Sequence, residues 1–339
     1  MYDLARGALF ALDAELAHEL TLTALARMPR LAAAAFAARA PDDPVEILGL
    51  QLKNRVGLAA GLDKNGVAIE AFQRMGFGFV EVGTVTPRPQ PGNPKPRMFR
   101  LAQHEALINR LGFNNHGVDA LLPKLRAVRG RVPVGVNIGK NFDTPIEHAG
   151  DDYEHCLRKV YPHAAYVTVN ISSPNTRNLR DLQGAEHLGG LLRQLAFVRD
   201  ALAQDSGRRV PLLVKIAPDL STEELRALAE TARECGMDGI IATNTTIQRP
   251  GLRDTPLAAE VGGLSGAPVK PLALAALRAV RAAVGRDYPL IGVGGIVAGA
   301  DARERREAGA DLVQVYTGFI YRGPALVADC ARAMAARVH

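Results

Sequence analysis

The stretch that decides the fold is Tyr166-Val167-Thr168-Val169-Asn170-Ile171-Ser172-Ser173-Pro174-Asn175. Its first half is rich in β-branched and aromatic residues, which predicts a buried β-strand. Its second half carries amide and hydroxyl groups, which cost free energy when they are buried without a hydrogen-bond partner. One interpretation is a polar ligand at the mouth of a barrel. The other is a plain turn, because serine, proline and asparagine all favour turns.

Apolar runs of similar length recur along the chain and alternate with helical patterns. The predicted strands are 56–60, 79–85, 132–138, 166–172, 210–216, 239–245, 290–296 and 312–318. This alternation predicts parallel β–α units and an α/β fold, a closed (β/α)8 TIM barrel. A doubly wound open sheet is the alternative. Gly292-Val293-Gly294-Gly295 is weak evidence for it, because the third glycine of a dinucleotide-binding fingerprint is missing.

The composition of the 339-residue chain is that of a globular protein, with 47% hydrophobic residues and a net charge of +6. No run of Lys and Arg indicates nucleic-acid binding. The three cysteines form no Cys-x-x-Cys pair, which predicts a reduced, cytosolic setting, and the histidines lack metal-ligand spacing, so no metal is predicted. No apolar stretch reaches the roughly 18 residues of a membrane span, and no secretory signal is visible.

Residues 1–40 are predicted to form an N-terminal segment, and residues 41–339 the barrel domain. Leucines recur at helical spacing, Asp13 can cap a second helix and Pro29 would end it, so two short amphipathic helices are predicted. These helices either pack on the barrel as a structural cap or lie on a membrane surface. Four arginines balance four acidic residues in the segment, so charge does not decide between the two interpretations.

Polar residues or glycines follow the C-terminal end of nearly every predicted strand. They are Gly61, Asp63, Lys64, Thr84, Asn137, Asn170, Ser172, Ser173, Lys215, Thr243, Asn244, Thr245, Gly294, Gly295, Tyr316 and Thr317. In a (β/α)8 barrel these ends converge on one face, where the chemistry takes place. Amides and hydroxyls bind flat heterocycles, lysine stabilises a developing anion, and glycine loops cradle phosphate. The set suggests FMN with a second heterocycle or a small acid as substrate.

Ser173 is the candidate base if a C–H proton leaves together with a hydride. A serine hydroxyl is a poor base unless another group or a water relay removes its proton, and no His or Asp adjoins it in the sequence. Two long connections, 86–131 and 175–188, lie beside the predicted barrel mouth. Such long connections usually have a function, and the polar segment 175–188 is predicted to be a substrate lid.

Motifs with these features are distributed over the whole chain. They are Ala60-Gly61-Leu62-Asp63-Lys64, Asn109-Arg110-Leu111-Gly112-Phe113-Asn114-Asn115, Asn170-Ile171-Ser172-Ser173-Pro174-Asn175-Thr176, Lys215-Ile216-Ala217-Pro218-Asp219, Thr243-Asn244-Thr245 and Gly292-Val293-Gly294-Gly295-Ile296. In this combination the chain resembles the dihydroorotate dehydrogenase family. Ser173 and the N-terminal segment resemble its quinone-dependent class 2, because the soluble class 1 form carries a cysteine base and lacks the segment.

The resemblance implies oxidation of (S)-dihydroorotate to orotate in de novo pyrimidine (UMP) biosynthesis. Ser173 would be the catalytic residue that takes the proton from carbon 5, and Phe113 and Thr176 would flank a water that relays it away. The substrate would be held by Lys64, Asn109, Arg110, Leu111, Gly112, Phe113, Asn170, Asn175, Asn244 and Thr245. FMN would be bound by Ala60, Gly61, Leu62, Asp63, Lys64, Thr84, Asn137, Asn170, Lys215, Thr243, Gly266, Gly295, Tyr316 and Thr317.

The resemblance also implies a tunnel for ubiquinone or menaquinone at the N-terminal helices, where His18, Arg100 and Tyr316 would contact the quinone. We expect a monomer that is attached peripherally to the cytoplasmic side of the cell membrane. Two positions depart from the common family pattern: Arg177-Asn178 replaces a Pro-Gly pair in the lid, and Thr317 stands where serine is frequent. The alternative function is another FMN barrel oxidoreductase that uses NAD(P) on a dihydropyrimidine-type substrate.

Overall fold

The computed structural model describes residues 2–36, 39–128, 132–176, 179–252 and 255–335, and its central element is a closed β-barrel. The strands are β1 Val45–Ile47, β2 Leu50–Leu52, β3 Val56–Leu58, β4 Phe79–Val85, β5 Met98–Leu101, β6 Ala106–Asn109, β7 Val134–Ile138, β8 Tyr166–Asn170, β9 Leu212–Ile216, β10 Gly239–Ala242, β11 Gly263–Gly266, β12 Leu290–Val293 and β13 Leu312–Val315. The helices are α1 Tyr2–Phe10, α2 Ala14–Arg27, α3 Pro29–Phe36, α4 Ile69–Arg74, α5 Val118–Ala127, α6 Ala149–Val160, α7 Ala185–Ser206, α8 Thr222–Glu234, α9 Lys270–Val284, α10 Gly299–Glu307, α11 Thr317–Arg322 and α12 Pro324–Ala335.

The barrel is made of parallel strands in the order β3-β4-β7-β8-β9-β10-β12-β13, and β13 returns to β3. In the closing pair Val313 lies opposite Val56 and Val315 opposite Leu58. The predicted (β/α)8 barrel is therefore confirmed, and the open-sheet alternative is wrong.

Strand β8 shows how the sequence builds this barrel. Side chains alternate along a strand, so Val167 and Val169 are fully buried among the surrounding helices while Tyr166 points to the barrel interior. The same alternation places Asn170 at the interior end of the strand. A buried strand thus delivers an amide to the barrel mouth.

The opposite mouth of the barrel is covered by the antiparallel β1–β2 hairpin. Leu52 packs in one apolar cluster with Phe79 and Tyr166 of the barrel interior, and partly buried Val45 and Leu50 pack against that cluster. Side chains fill this end, so in the part of the chain that the structure describes the space for a ligand lies at the C-terminal end of the strands.

The N-terminal segment contains three helices, so the prediction of two is wrong. Pro29 ends α2 as expected, but it also occupies the first position of α3. At that position the N–H that proline lacks would have no partner within the helix anyway. Asp13 caps α2, since its Oδ1 accepts the N–H groups of Glu15 and Leu16 at 3.0 Å each. Within the described ranges, every helix is too short or too polar to cross a bilayer.

The connection 86–131 contributes two strands to a second sheet beside the barrel mouth. Strand β6 lies at its centre and pairs in antiparallel fashion with β5 and β11. Leu107 of β6 and Met98 of β5 are buried in this sheet. The long connection therefore forms a wall of the barrel mouth, next to which it was predicted to lie.

Candidate active site

A cavity opens where the barrel strands end, and it brings most of the predicted polar residues together. Its lining includes Ala60, Gly61, Lys64, Thr84, Asn109, Leu111, Gly112, Phe113, Asn170, Ser173, Asn175, Lys215, Thr243, Asn244, Thr245, Gly266, Gly295, Tyr316 and Thr317. These residues come from strands and loops far apart in the chain. Their convergence is the arrangement that the positions of the strand ends predicted.

Other predicted site residues lie behind the cavity wall or away from it. The buried Asp63 carboxylate accepts the N–H groups of Val67 and Ala68 at 2.8 Å each, and burial raises its pKa. Arg110 donates from Nη1 to Glu260 at 2.5 Å and stacks over the Phe99 ring. Leu62, Asn137 and Thr176 are also buried without lining this cavity. Arg177-Asn178 lies outside the described residues.

Asn137 acts from behind the wall, on two residues that line the cavity. Its Oδ1 accepts hydrogen bonds from the Thr84 hydroxyl at 2.6 Å and from Asn170 Nδ2 at 3.1 Å. Asn170 Nδ2 also donates to Thr84 Oγ1 at 3.0 Å. All three side chains are buried, so this triangle fixes the direction of the Asn170 amide.

A buried carboxylate, Glu81, lies beneath this triangle and was missed in the sequence. It accepts hydrogen bonds from Asn137 Nδ2 at 2.8 Å, the Tyr166 hydroxyl at 2.9 Å and Gln314 Nε2 at 2.7 Å. Its side chain is fully buried. The available signal was one acidic residue inside the otherwise apolar run of β4, because a charge is rarely buried unless it is paired.

Lys215 carries a buried positive charge to the cavity. Burial lowers its pKa, and the charge of Glu81 opposes that shift. Among the described residues, the Lys215 ammonium has no hydrogen-bond acceptor within range. A buried, unpaired ammonium costs free energy, so this position is suited to an electron-rich ligand atom.

Ser173 lies just beyond β8, among asparagine side chains. Its Oγ accepts the Asn175 N–H at 3.3 Å, and Asn175 Nδ2 donates to Asn109 Oδ1 at 3.2 Å. The Asn175 Oδ1 and the Thr176 hydroxyl are buried and have no partner in the described part of the chain. A ligand N–H could pair with this Oδ1.

Lys64 adds a second cation to the cavity. Its Nζ donates to the Gly61 carbonyl at 3.1 Å. Burial lowers its pKa to about 8, and the charge of Arg97 acts in the same direction, whereas Glu15 and Asp63 raise it. The residue therefore carries a charge at neutral pH and titrates on the alkaline side.

A second, largely apolar cavity lies between the N-terminal helices and the barrel, and it contains His18 and Arg100. Burial lowers the pKa of His18 to about 4, with help from the Lys64 charge. Arg100 Nη1 donates to the Phe10 carbonyl at 3.0 Å, and its guanidinium lies 4.3 Å from the Phe10 ring centroid. Tyr316, the third predicted quinone residue, lines the first cavity instead.

The two cavities are neighbours. Met98 and Leu107 line both of them, so one layer of side chains separates the polar cavity from the apolar one. In the described residues no group of three His, Cys, Asp or Glu side chains is placed to hold a metal ion. The arrangement joins a polar site for a flat ligand to an apolar site for a lipid-like one.

Comparison with known proteins gives the family. The family model for dihydroorotate dehydrogenase matches residues 44–338. The chain belongs to the dihydroorotate dehydrogenase family. It is 57% identical to the dihydroorotate dehydrogenase (quinone) of Burkholderia multivorans over 99% of this chain and 97% of that protein. It is 56% identical to the protein of the same name from Alkalilimnicola ehrlichii, over 99% of both chains.

Solved structures of this family share the fold. The DHODH of Eimeria tenella in complex with ferulenol superposes with a TM-score of 0.88 at 41% identity, over 95% of this chain and 90% of that one. The ligand-free form from the same organism gives a TM-score of 0.86 at 42% identity, over 95% and 94% of the two chains. Both superpositions cover nearly the whole of this chain.

Proposed function

We propose that this chain oxidises (S)-dihydroorotate to orotate in de novo pyrimidine biosynthesis, with FMN as hydride acceptor and a membrane quinone as final electron acceptor. Two findings support the proposal: the chain belongs to the family, and it is 57% identical to a relative whose name specifies the quinone-dependent enzyme. The observation that carries it is the meeting of Ser173, Lys215 and four asparagine side chains, of residues 109, 170, 175 and 244, in one cavity.

The cavity residues fit a flavin. The unpaired Lys215 ammonium can support negative charge on a ring system, and the fixed Asn170 amide can bond its edge. Gly266 and Gly295 have φ values of 98° and 70°, which favour glycine, and let their loops bend around the cavity as a phosphate site requires. When bound, FMN would accept the hydride of carbon 6 and pass the electrons on.

The substrate would lie against the asparagine side chains. Asn175 Oδ1 has no partner among the described residues and can accept a pyrimidine N–H, while the charge of Lys64 suits the substrate carboxylate. Asn109 and Asn244 complete the ring of amides. This set orients the substrate so that its carbon 5 faces Ser173.

Ser173 takes the proton that leaves carbon 5. Its hydroxyl is buried, and only the Asn175 N–H is bonded to it in the described structure, so it needs a relay. The Thr176 hydroxyl is buried behind the cavity wall without a partner in the described structure, and Phe113 lines the cavity together with Ser173. These two residues would flank a proton-carrying water between Ser173 and the solvent.

Electrons leave through the apolar cavity, where a ubiquinone or menaquinone ring would lie beside His18 and Arg100. Neutral His18 and charged Arg100 can both donate hydrogen bonds to quinone oxygens. Large exposed apolar side chains on this segment support contact with a membrane surface: Leu4, Leu12, Leu16, Leu20, Met28 and Leu31. The segment and the barrel would then divide the two half-reactions between them.

An anaerobic visible spectrum tests this function. The purified protein should be yellow, lose its flavin absorbance on addition of dihydroorotate and regain it with a soluble ubiquinone analogue. Ser173→Ala should slow the bleaching by about 10²- to 10⁴-fold, and Ser173→Cys should keep part of the rate because a cysteine thiolate can still accept the proton. Wild-type bleaching in Ser173→Ala, or turnover with NAD⁺ and none with quinone, would contradict the proposal.

A further inference from the structure

Glu15 and Arg97 form a buried ion pair between α2 and the loop before β5. Arg97 Nε donates to both carboxylate oxygens of Glu15 at 3.1 Å, and Nη2 donates to Oε1 at 2.8 Å. Both side chains are more than nine-tenths buried. A buried pair with this geometry ties two elements together, and removal of one partner leaves an uncompensated charge.

The same guanidinium organises the loop on which it lies. Arg97 Nη1 donates to the carbonyl groups of Pro91 at 2.6 Å and Asn93 at 2.7 Å. Any Cβ at Gly92 would come within 3.0 Å of this Nη1, so the loop is closely fitted around the charge. The position of Asn93 therefore depends on Arg97.

Asn93 contacts the wall of the polar cavity. Its N–H donates to the Leu111 carbonyl at 3.2 Å, and its Nδ2 donates to the Asn175 carbonyl at 3.3 Å. A Cβ at Gly112 would lie 2.9 Å from the Asn93 side chain, so little space separates them. Leu111, Gly112 and Asn175 line the cavity, and a shift of Asn93 reaches the substrate side directly.

Electrostatics adds a second connection. The charge of Arg97 lowers the pKa of Lys64, and the charge of Glu15 raises it. At Lys64, the negative charge of Glu15 therefore opposes the effect of the positive charge of Arg97. Loss of this carboxylate would leave the buried Arg97 charge facing the cation that we assign to the substrate carboxylate.

We propose that Glu15 and Arg97 are positioning residues that couple the seating of α2 on the barrel to the affinity of the cavity for dihydroorotate. The proposal rests on the proposed function of the cavity. Neither residue touches the cavity, and both act through Asn93, Asn175 and Lys64. Helix α2, which borders the apolar cavity, thereby also influences the affinity of the polar cavity for dihydroorotate.

The test uses the full-length, flavin-loaded enzyme and anaerobic stopped-flow bleaching of the flavin at varied dihydroorotate. Glu15→Gln should raise the Kd for dihydroorotate about 5- to 30-fold and leave the limiting rate within about twofold, because the reacting groups are untouched. Glu19→Gln is the matched control, since it removes an exposed carboxylate from the same helix and from Lys95, which also contacts Glu15, and leaves the buried pair in place. It should behave as wild type, and Glu15→Asp should recover part of the affinity.

Asn93→Ala closes a double-mutant cycle. If the two residues act through one path, the Kd of the double variant should rise by less than the product of the single effects. Wild-type affinity in Glu15→Gln, or fully multiplicative effects, would overturn the coupling. If Glu15→Gln fails to fold, the apolar pair Glu15→Leu/Arg97→Met should fold, because it leaves no unpaired charge.

In that double replacement, wild-type affinity for dihydroorotate would equally overturn the coupling, since the donors to the loop are gone. The result that addresses the proposed function is a different one. If dihydroorotate fails to bleach the wild-type flavin at any concentration, the assignment of the cavity itself is wrong, whatever the variants do.

Discussion

Replacement of Glu81 by leucine tests whether the buried carboxylate beneath the site holds its framework. The change removes the acceptor of three hydrogen bonds, from Asn137, Tyr166 and Gln314. A buried donor left without a partner costs about 1–3 kcal/mol, so the three together cost roughly 3–9 kcal/mol. With an unfolding entropy of about 2.1 cal/mol/K per residue, a chain of 339 residues converts this loss to a fall in Tm of about 4–13 °C.

Glu81→Gln should cost less than half as much as the leucine variant. Gln314 Oε1 is buried and has no partner among the described residues, so the Gln314 amide can turn and accept from the new side chain. The glutamine lacks the negative charge of Glu81, which raises the pKa of Lys215 in the wild type. The pKa of Lys215 should therefore fall further in this variant. The flavin-loaded Glu81→Gln enzyme should therefore lose activity as pH rises sooner than wild type.

Thermal unfolding of flavin-loaded protein at one scan rate measures the effect on stability. Glu70→Gln is the matched control, because Glu70 is exposed on α4 and forms only a surface pair with Arg74. Such a pair contributes at most about 1 kcal/mol. A Glu81→Leu variant that unfolds within about 1 °C of wild type would refute the account of the buried carboxylate.

Three further predictions concern the substrate, the flavin and the membrane surface. Affinity for dihydroorotate should fall as pH rises through about 8, where Lys64 loses its charge, and Lys64→Met should bind weakly at all pH values, with that step absent from its titration by isothermal calorimetry. Lys215→Met should lower the midpoint potential of the bound flavin by about 30–60 mV in a spectroelectrochemical titration, since a nearby cation stabilises the reduced ring, and an unchanged potential would place the ammonium elsewhere. Exposed Leu16 and Leu20, both changed to Glu, should weaken co-sedimentation with anionic vesicles and leave bleaching by dihydroorotate intact, whereas equal sedimentation would count against membrane contact through this face.

The barrel and the polar cavity were predictable because their signals are local and repeated. Each apolar run ends in polar residues, and parallel strands must bring those ends to one mouth, so Lys215 and Ser173 could be placed together from the sequence. The β1–β2 hairpin at the other mouth was not predicted. Its strands are three residues each, too short for an alternation pattern to stand out.

Other features could not be predicted because they depend on contacts between distant segments. Glu15 and Arg97 are ordinary charged residues in the sequence, and only the packing of α2 against the loop buries them as a pair. Pro29 predicts the end of α2 equally well whether or not another helix follows it, so the third helix stayed hidden. Asp63 stands at a strand end like its neighbours, yet its carboxylate caps backbone N–H groups and lies off the cavity.

The partition formed by Met98 and Leu107 has a practical consequence for inhibition. If the apolar cavity takes the quinone as proposed, an apolar compound bound on the helix side of this thin wall would block electron transfer to the quinone without resembling a pyrimidine. Because dihydroorotate would bind in the other cavity, raising its concentration would not displace such a compound. Selective blockers can thus be sought among apolar molecules whose shape follows the helices.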